Sequence, residues 1–161
     1  YIERDFKKAY DYSVKALVYY PKDPYPHLYI GTYFNSIGKV EDSIHYFDNA
    51  IKYSEGILPM AHWERVFSKM MVNKDLSYCE DINILKEVII KDKDYQFLQE
   101  EHSIIFGLCE FASRPPKSLI NLANFLVKQG ACAYSLLFYN EALKNGTKEE
   151  LANYDNSLCK D

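Results

Sequence analysis

Residues 13–53 read SVKALVYYPKDPYPHLYIGTYFNSIGKVEDSIHYFDNAIKY, and prolines and glycines punctuate this stretch. Pro21, Pro24 and Pro26 interrupt it, and Gly31 and Gly38 follow. Proline lacks the N–H that a helix interior needs, and it turns the preceding residue away from helical backbone. It does fit a first helical turn. The stretch therefore predicts one helix ending at Pro21 and Pro24 and a second opening at Pro26. A break at Gly38 and a third helix over about 40–53 follow. Leu28, Ile30, Gly31, Phe34 and Ile37 mark the inner side of the second helix, and Ile44, Phe47, Ala50 and Ile51 that of the third. So short a turn makes the two an antiparallel pair. Phe6, Ala9, Ser13, Ala16 and Leu17 share a face of the helix before them.

The same spacing recurs downstream, and strand alternation is nearly absent. A helix is expected from Pro59, carrying Met60, Trp63, Val66, Phe67 and Met70. The polar run VNKDLSYCED over 72–81 reads as a connector. Ile82, Leu85, Val88 and Ile89 mark the next helix, and Tyr95 to Ala112 a longer one. Pro115-Pro116 is a hard stop and restart, Leu119, Leu122, Ala123 and Leu126 define a further helix, and Gly130 ends it before a partner over 131–143. Thr147 and Glu150 have capping-box spacing and open a last short helix.

Two of these hairpins share a template. With Gly31 aligned to Ala123, Phe34 meets Leu126, Gly38 meets Gly130, Ser43 meets Ser135, Phe47 meets Tyr139 and Ala50 meets Ala142. Ala9 and Ser43 stand 34 apart, as do Ala16 and Ala50. This pattern resembles the tetratricopeptide repeat, a helix–turn–helix unit of about 34 residues. The resemblance is clear over 6–56 and 116–146 and weak over the divergent hairpins of 57–115. It implies an all-α fold in which residues 1–161 form one domain of antiparallel hairpins stacked as a superhelix, a fragment of a longer chain. A narrower resemblance is to the 14-3-3-like helical-hairpin region of telomerase-associated and nonsense-mediated mRNA decay factors. Tyr19, Tyr20, Pro21, Pro26 and His102 carry it, although Leu28 and Tyr29 stand where that family has Gln and Asn.

Composition narrows the function classes. A net charge of −4 with both signs interspersed disfavours a general nucleic-acid or anionic-membrane surface. No apolar run approaches the roughly 20 residues that span a bilayer, so no membrane partner is expected. Cys79, Cys109, Cys132 and Cys159 form no CxxC pair and read as reduced, mostly buried thiols of an intracellular protein, cytoplasmic or nuclear. Asn145-Gly146-Thr147 matches an N-glycosylation pattern and reads as a helix-to-helix turn.

No phosphate-binding glycine motif, HExxH or nucleophile elbow occurs. His27, His45, His62 and His102 lie in separate helices. No catalytic residue, metal ligand or cofactor is expected. The candidate site is a binding surface. Lys117, Asn121, Asn124 and Lys128 fall at helical spacing on one face, where two ammonium groups and two amides suit an acidic or phosphorylated segment. On the corresponding helix of the first unit, Tyr25, Leu28, Thr32 and Asn35 are read as groove-facing and give a more apolar lining. The expected function is a scaffold or adaptor holding a peptide or subunit in a groove, within a larger assembly. The alternative is a phosphopeptide- or RNA-binding module of an mRNA-decay or telomerase-associated factor.

Overall fold

The computed structural model describes residues 5–73 and 75–159. Among these residues every regular element is helical: α1 (Phe6–Tyr19), α2 (Pro24–Ser36), α3 (Val40–Tyr53), α4 (Pro59–Val72), α5 (Cys79–Lys91), α6 (Gln96–Glu101), α7 (Ser103–Cys109), α8 (Pro116–Lys128), α9 (Cys132–Leu143) and α10 (Lys148–Leu151). Short 3-10 turns lie at Lys93–Tyr95 and Ser157–Cys159. Each of α1 to α5 packs on its neighbour in sequence, α8 pairs with α9, and α2 also touches α4.

Local chemistry explains the boundaries. Asp5 and Asp23 cap α1 and α2 by accepting from the Lys8 and Tyr25 amides, each at 3.1 Å. Pro24, Pro59 and Pro116 each occupy a first helical position, where the missing N–H has no partner to lose. The start of α2 therefore lies at Pro24, ahead of the expected Pro26. The aligned Gly38 and Gly130 both hold left-handed backbone, φ 77° and 73°, which glycine adopts without a Cβ clash. The capping box forms: the Glu150 amide donates to Thr147 Oγ1 at 3.3 Å, and the Thr147 amide donates to Glu150 Oε2 at 3.0 Å.

The shared template is visible in burial. Ser43 and Ser135 are wholly buried, as are Ala50, Ala142 and Ala123. Around the first hairpin, Leu28, Phe47, Ala50 and Ala61 form a small core. A larger one joins Trp63, Ile82, Leu85, Phe106, Leu119 and Phe138 across the other hairpins. Full burial of a ring such as Phe47 or Phe138 contributes on the order of 1.5–3 kcal/mol.

Three expectations are corrected. The four cysteines are not thiols: Cys79 bonds Cys109 and Cys132 bonds Cys159, with Cα atoms 5.3 and 5.7 Å apart. The run VNKDLSYCED is not connector throughout: Cys79, Glu80 and Asp81 already open α5, and Leu76, Tyr78 and Cys79 are buried. Its backbone is held by the Leu76 amide, which donates to Glu141 Oε2 at 3.2 Å. The long helix of 95–112 is a 3-10 turn followed by α6 and α7, divided at His102. There the backbone leaves helical geometry, and the imidazole packs 4.5 Å from the Trp63 ring. No helix among the described residues is long and apolar enough to cross a membrane.

Candidate binding surfaces

The four residues expected to bind an acidic guest lie on α8. Lys117, Asn121 and Lys128 are exposed, and Asn124 is half-buried. Asn124 is occupied by the chain itself. Its Nδ2 donates to the Asn153 carbonyl at 2.8 Å, and its Oδ1 accepts from the Asp155 amide at 2.9 Å. The segment after α10 thus crosses α8. It closes a small cavity of about 190 Å³ that brings Asn124 and Lys128 together with Asp155 and Leu158, while Lys117 and Asn121 do not line it.

Two further contacts fix that segment. Tyr154 stacks on Tyr139 with ring centroids 4.2 Å apart, and its hydroxyl lies 3.0 Å from Ser135 Oγ. The Cys132–Cys159 disulfide joins it to the start of α9. In the first hairpin the residue equivalent to Ser135 is Ser43, whose hydroxyl meets Ser68 of α4 at 3.1 Å. Residues 153–159 therefore cover a face of α8 and α9, and Tyr154 meets Ser135 as Ser68 of the next helix meets Ser43.

The first-unit positions behave differently. Tyr25, Leu28 and Thr32 line a cavity of about 510 Å³ between α1, α2 and α4. Phe6, Met60 and Tyr95 complete its apolar wall, and Tyr29, Asp5 and Glu64 stand at it as well. Tyr25 and Tyr29 remain about half exposed, at 54% and 49%. Asn35 is not part of it. Its carboxamide accepts from Ser43 Oγ at 2.6 Å and donates to Ser68 Oγ at 2.9 Å, tying α2, α3 and α4 together. Thr32 turns its hydroxyl back to the Leu28 carbonyl at 3.1 Å, leaving its methyl for the cavity.

The strongest buried electrostatic cluster is elsewhere. Asp81 is wholly buried and accepts from His62 Nδ1 at 2.8 Å, Arg65 Nη2 at 2.5 Å and Lys69 Nζ at 2.9 Å. Burial alone would raise its pKa, but these three donors outweigh it and hold the carboxyl well below the usual carboxylate range. Arg65 also pairs with Asp48. His62 and Asp81 resemble two members of a catalytic triad, yet His62 Nε2 is already bonded to the Gly56 carbonyl at 3.1 Å and the imidazole is buried. Both ring nitrogens are taken up by Asp81 and Gly56 within the protein, and the cluster fastens α4 to α5. Nearby, Tyr78 is fully buried and its hydroxyl has no partner among the described residues. Burial, with smaller contributions from Tyr134 and Asp75, pushes its phenol up to about 12.

Sequence reasoning missed Tyr29, Met60 and Tyr95 as cavity residues. The repeat alignment did contain a signal for Tyr29, which stands opposite Asn121 when Gly31 meets Ala123 and lies three positions from Thr32 on the same helix face. No comparable signal existed for Tyr95, which arrives from a distant turn. No family model, curated protein or solved structure matches the chain significantly.

Proposed function

We propose that the chain is a non-catalytic binding module that seats an apolar segment of a partner protein in the cavity between α1, α2 and α4. One observation carries this reading: apolar Leu28, Phe6 and Met60 line one cavity together with the half-exposed Tyr25 and Tyr29. Tyrosine supplies apolar area and a hydroxyl together, and it is enriched at protein interfaces for that reason. A cavity of this size takes one or two anchor side chains, the usual source of most binding energy. The tetratricopeptide-like register supports the reading, because in such repeats the first helix of each pair lines the groove. Here those helices are α2 and α4, within a superhelical array and a larger assembly.

The test is selection of a displayed random-peptide library on the disulfide-intact chain. Enriched peptides are expected to share large apolar anchors and to lose at least tenfold in affinity when Tyr25 and Tyr29 are both replaced by alanine. Failure to enrich, or equal binding to the double variant, overturns the proposal.

A second reading is favoured by the exposure of Lys117, Asn121 and Lys128 along one side of α8. An acidic or phosphorylated peptide, or RNA, docks there by charge, with binding that weakens as salt rises. A phosphopeptide titration of the parent and of the Lys117→Glu, Lys128→Glu double variant separates the two readings. Only the α8 site responds to those substitutions.

A further inference from the structure

We infer that Asn145 is an acceptor for N-linked glycan and that the chain folds in an oxidising, secretory compartment. Asn145-Gly146-Thr147 is the sole N-x-Ser/Thr sequence in the 161 residues. It lies in the turn between α9 and α10, where both Asn145 and Thr147 are exposed. The neighbouring positions have structural reasons to be what they are. A Cβ at Gly146 would come 2.7 Å from the Ala142 carbonyl oxygen and 3.0 Å from Leu151 Cδ2, so glycine is required there. Thr147 caps α10. Asn145 has no such reason: its amide donates to the Ala142 carbonyl as any residue's would, and its exposed carboxamide has no partner among the described residues.

The second, independent observation is the cysteine pairing. All four cysteines are joined in two disulfides, and such bonds persist in secreted and lumenal proteins while cytosolic reductants keep thiols free. The intracellular expectation drawn from unpaired cysteines gives way with its premise. The compartment that oxidises these cysteines is also the one that carries the glycosylation machinery of eukaryotic cells.

The reaction takes a sugar chain carried on a lipid pyrophosphate. The Asn145 carboxamide nitrogen forms a bond to the anomeric carbon, the carbon–oxygen bond to the pyrophosphate breaks, and the lipid pyrophosphate and one amide proton leave. Folding then leaves the glycan on an open turn.

The test is translation of the full chain behind a signal peptide into microsomes, alongside secretion from eukaryotic cells. A discrete mass increase is expected, removable by peptide N-glycosidase with aspartate left at that position. Asn145→Gln and Thr147→Ala should abolish it, and Thr147→Ser, which keeps both the hydroxyl and the cap, should retain it. Microsomal translation reads the modification even for a variant that fails to fold. The exported parent should contain no free thiol. An unmodified Asn145 in translocated chains, or free thiols in the exported protein, overturns the inference.

Discussion

The ring of Phe47 fills the space that a side chain at Gly31 would need: a Cβ there would stand 2.5 Å from Phe47 Cε1 and 2.8 Å from Cδ1. This contact sets the distance between α2 and α3. Phe47 is wholly buried, so its ring has nowhere to move. Gly31→Ala is expected to cost about 1–3 kcal/mol through overpacking, more than its improved helix propensity returns. Thermal or urea unfolding measures this. Phe47→Leu in the same background should recover part of the loss, and additive effects would show that the two residues are not in contact.

The Asp81 cluster makes a pH prediction. The Asp81 carboxyl is held below its ordinary range, so the unfolded chain binds its proton more readily than the folded one. The stabilisation is therefore present at neutral pH, above the ordinary Asp value of about 3.9, and declines as pH falls below it. Asp81→Asn leaves Arg65 and Lys69 facing a neutral, buried amide, and should cost about 3 kcal/mol or more at pH 7. The stability of this variant should also fall less steeply between about pH 5 and 2 than that of the parent. Parallel acid-unfolding curves would show that Asp81 is not the group responsible.

Tyr78 predicts a change of opposite sign. Its buried hydroxyl has no partner among the described residues and bears a desolvation cost that no hydrogen bond from them offsets. Tyr78→Phe keeps the ring and removes that cost, so it is expected to be neutral or to stabilise by about 1 kcal/mol. A clear loss in chemical denaturation would reveal a hydrogen bond to this hydroxyl.

Asn124 should act as a tether for the segment after α10. Its two hydrogen bonds to Asn153 and Asp155 are each worth roughly 0.5–1.5 kcal/mol. Asn124→Ala is therefore expected to speed exchange of the Asp155 amide about tenfold while leaving the cores of α8 and α9 protected. Reduction of the Cys132–Cys159 disulfide should enlarge the effect. Unchanged exchange would place the restraint elsewhere.

The parts of the fold legible in the sequence are those fixed locally. Pro59 and Pro116 open helices, Gly38 and Gly130 end them, and Thr147 with Glu150 caps one, because each acts through its own few bonds. That Gly31 of α2 and Phe47 of α3 both face inward was legible because the repeat spacing matches helix geometry, while their direct contact came from the packing of the two helices. Features that depend on distant chain were not. Four cysteines allow three pairings, and nothing in spacings of 30 and 27 residues selects one. Leu76 and Tyr78 sit in a polar run and are buried only because other helices close over them. At the candidate site, Tyr25, Leu28 and Thr32 were readable as groove positions. The occupation of Asn124 was not, since its partners lie 29 and 31 residues away.

The most direct test of the binding account is a chemical-shift map of the isotope-labelled, disulfide-intact chain titrated with an apolar peptide from the displayed-library selection. The account predicts that the perturbed resonances cluster at Tyr25, Leu28, Tyr29, Met60 and Tyr95, and that they vanish from the titration of the Tyr25→Ala, Tyr29→Ala variant. Perturbations confined to Lys117, Asn121 and Lys128, or scattered without a cluster, would contradict it.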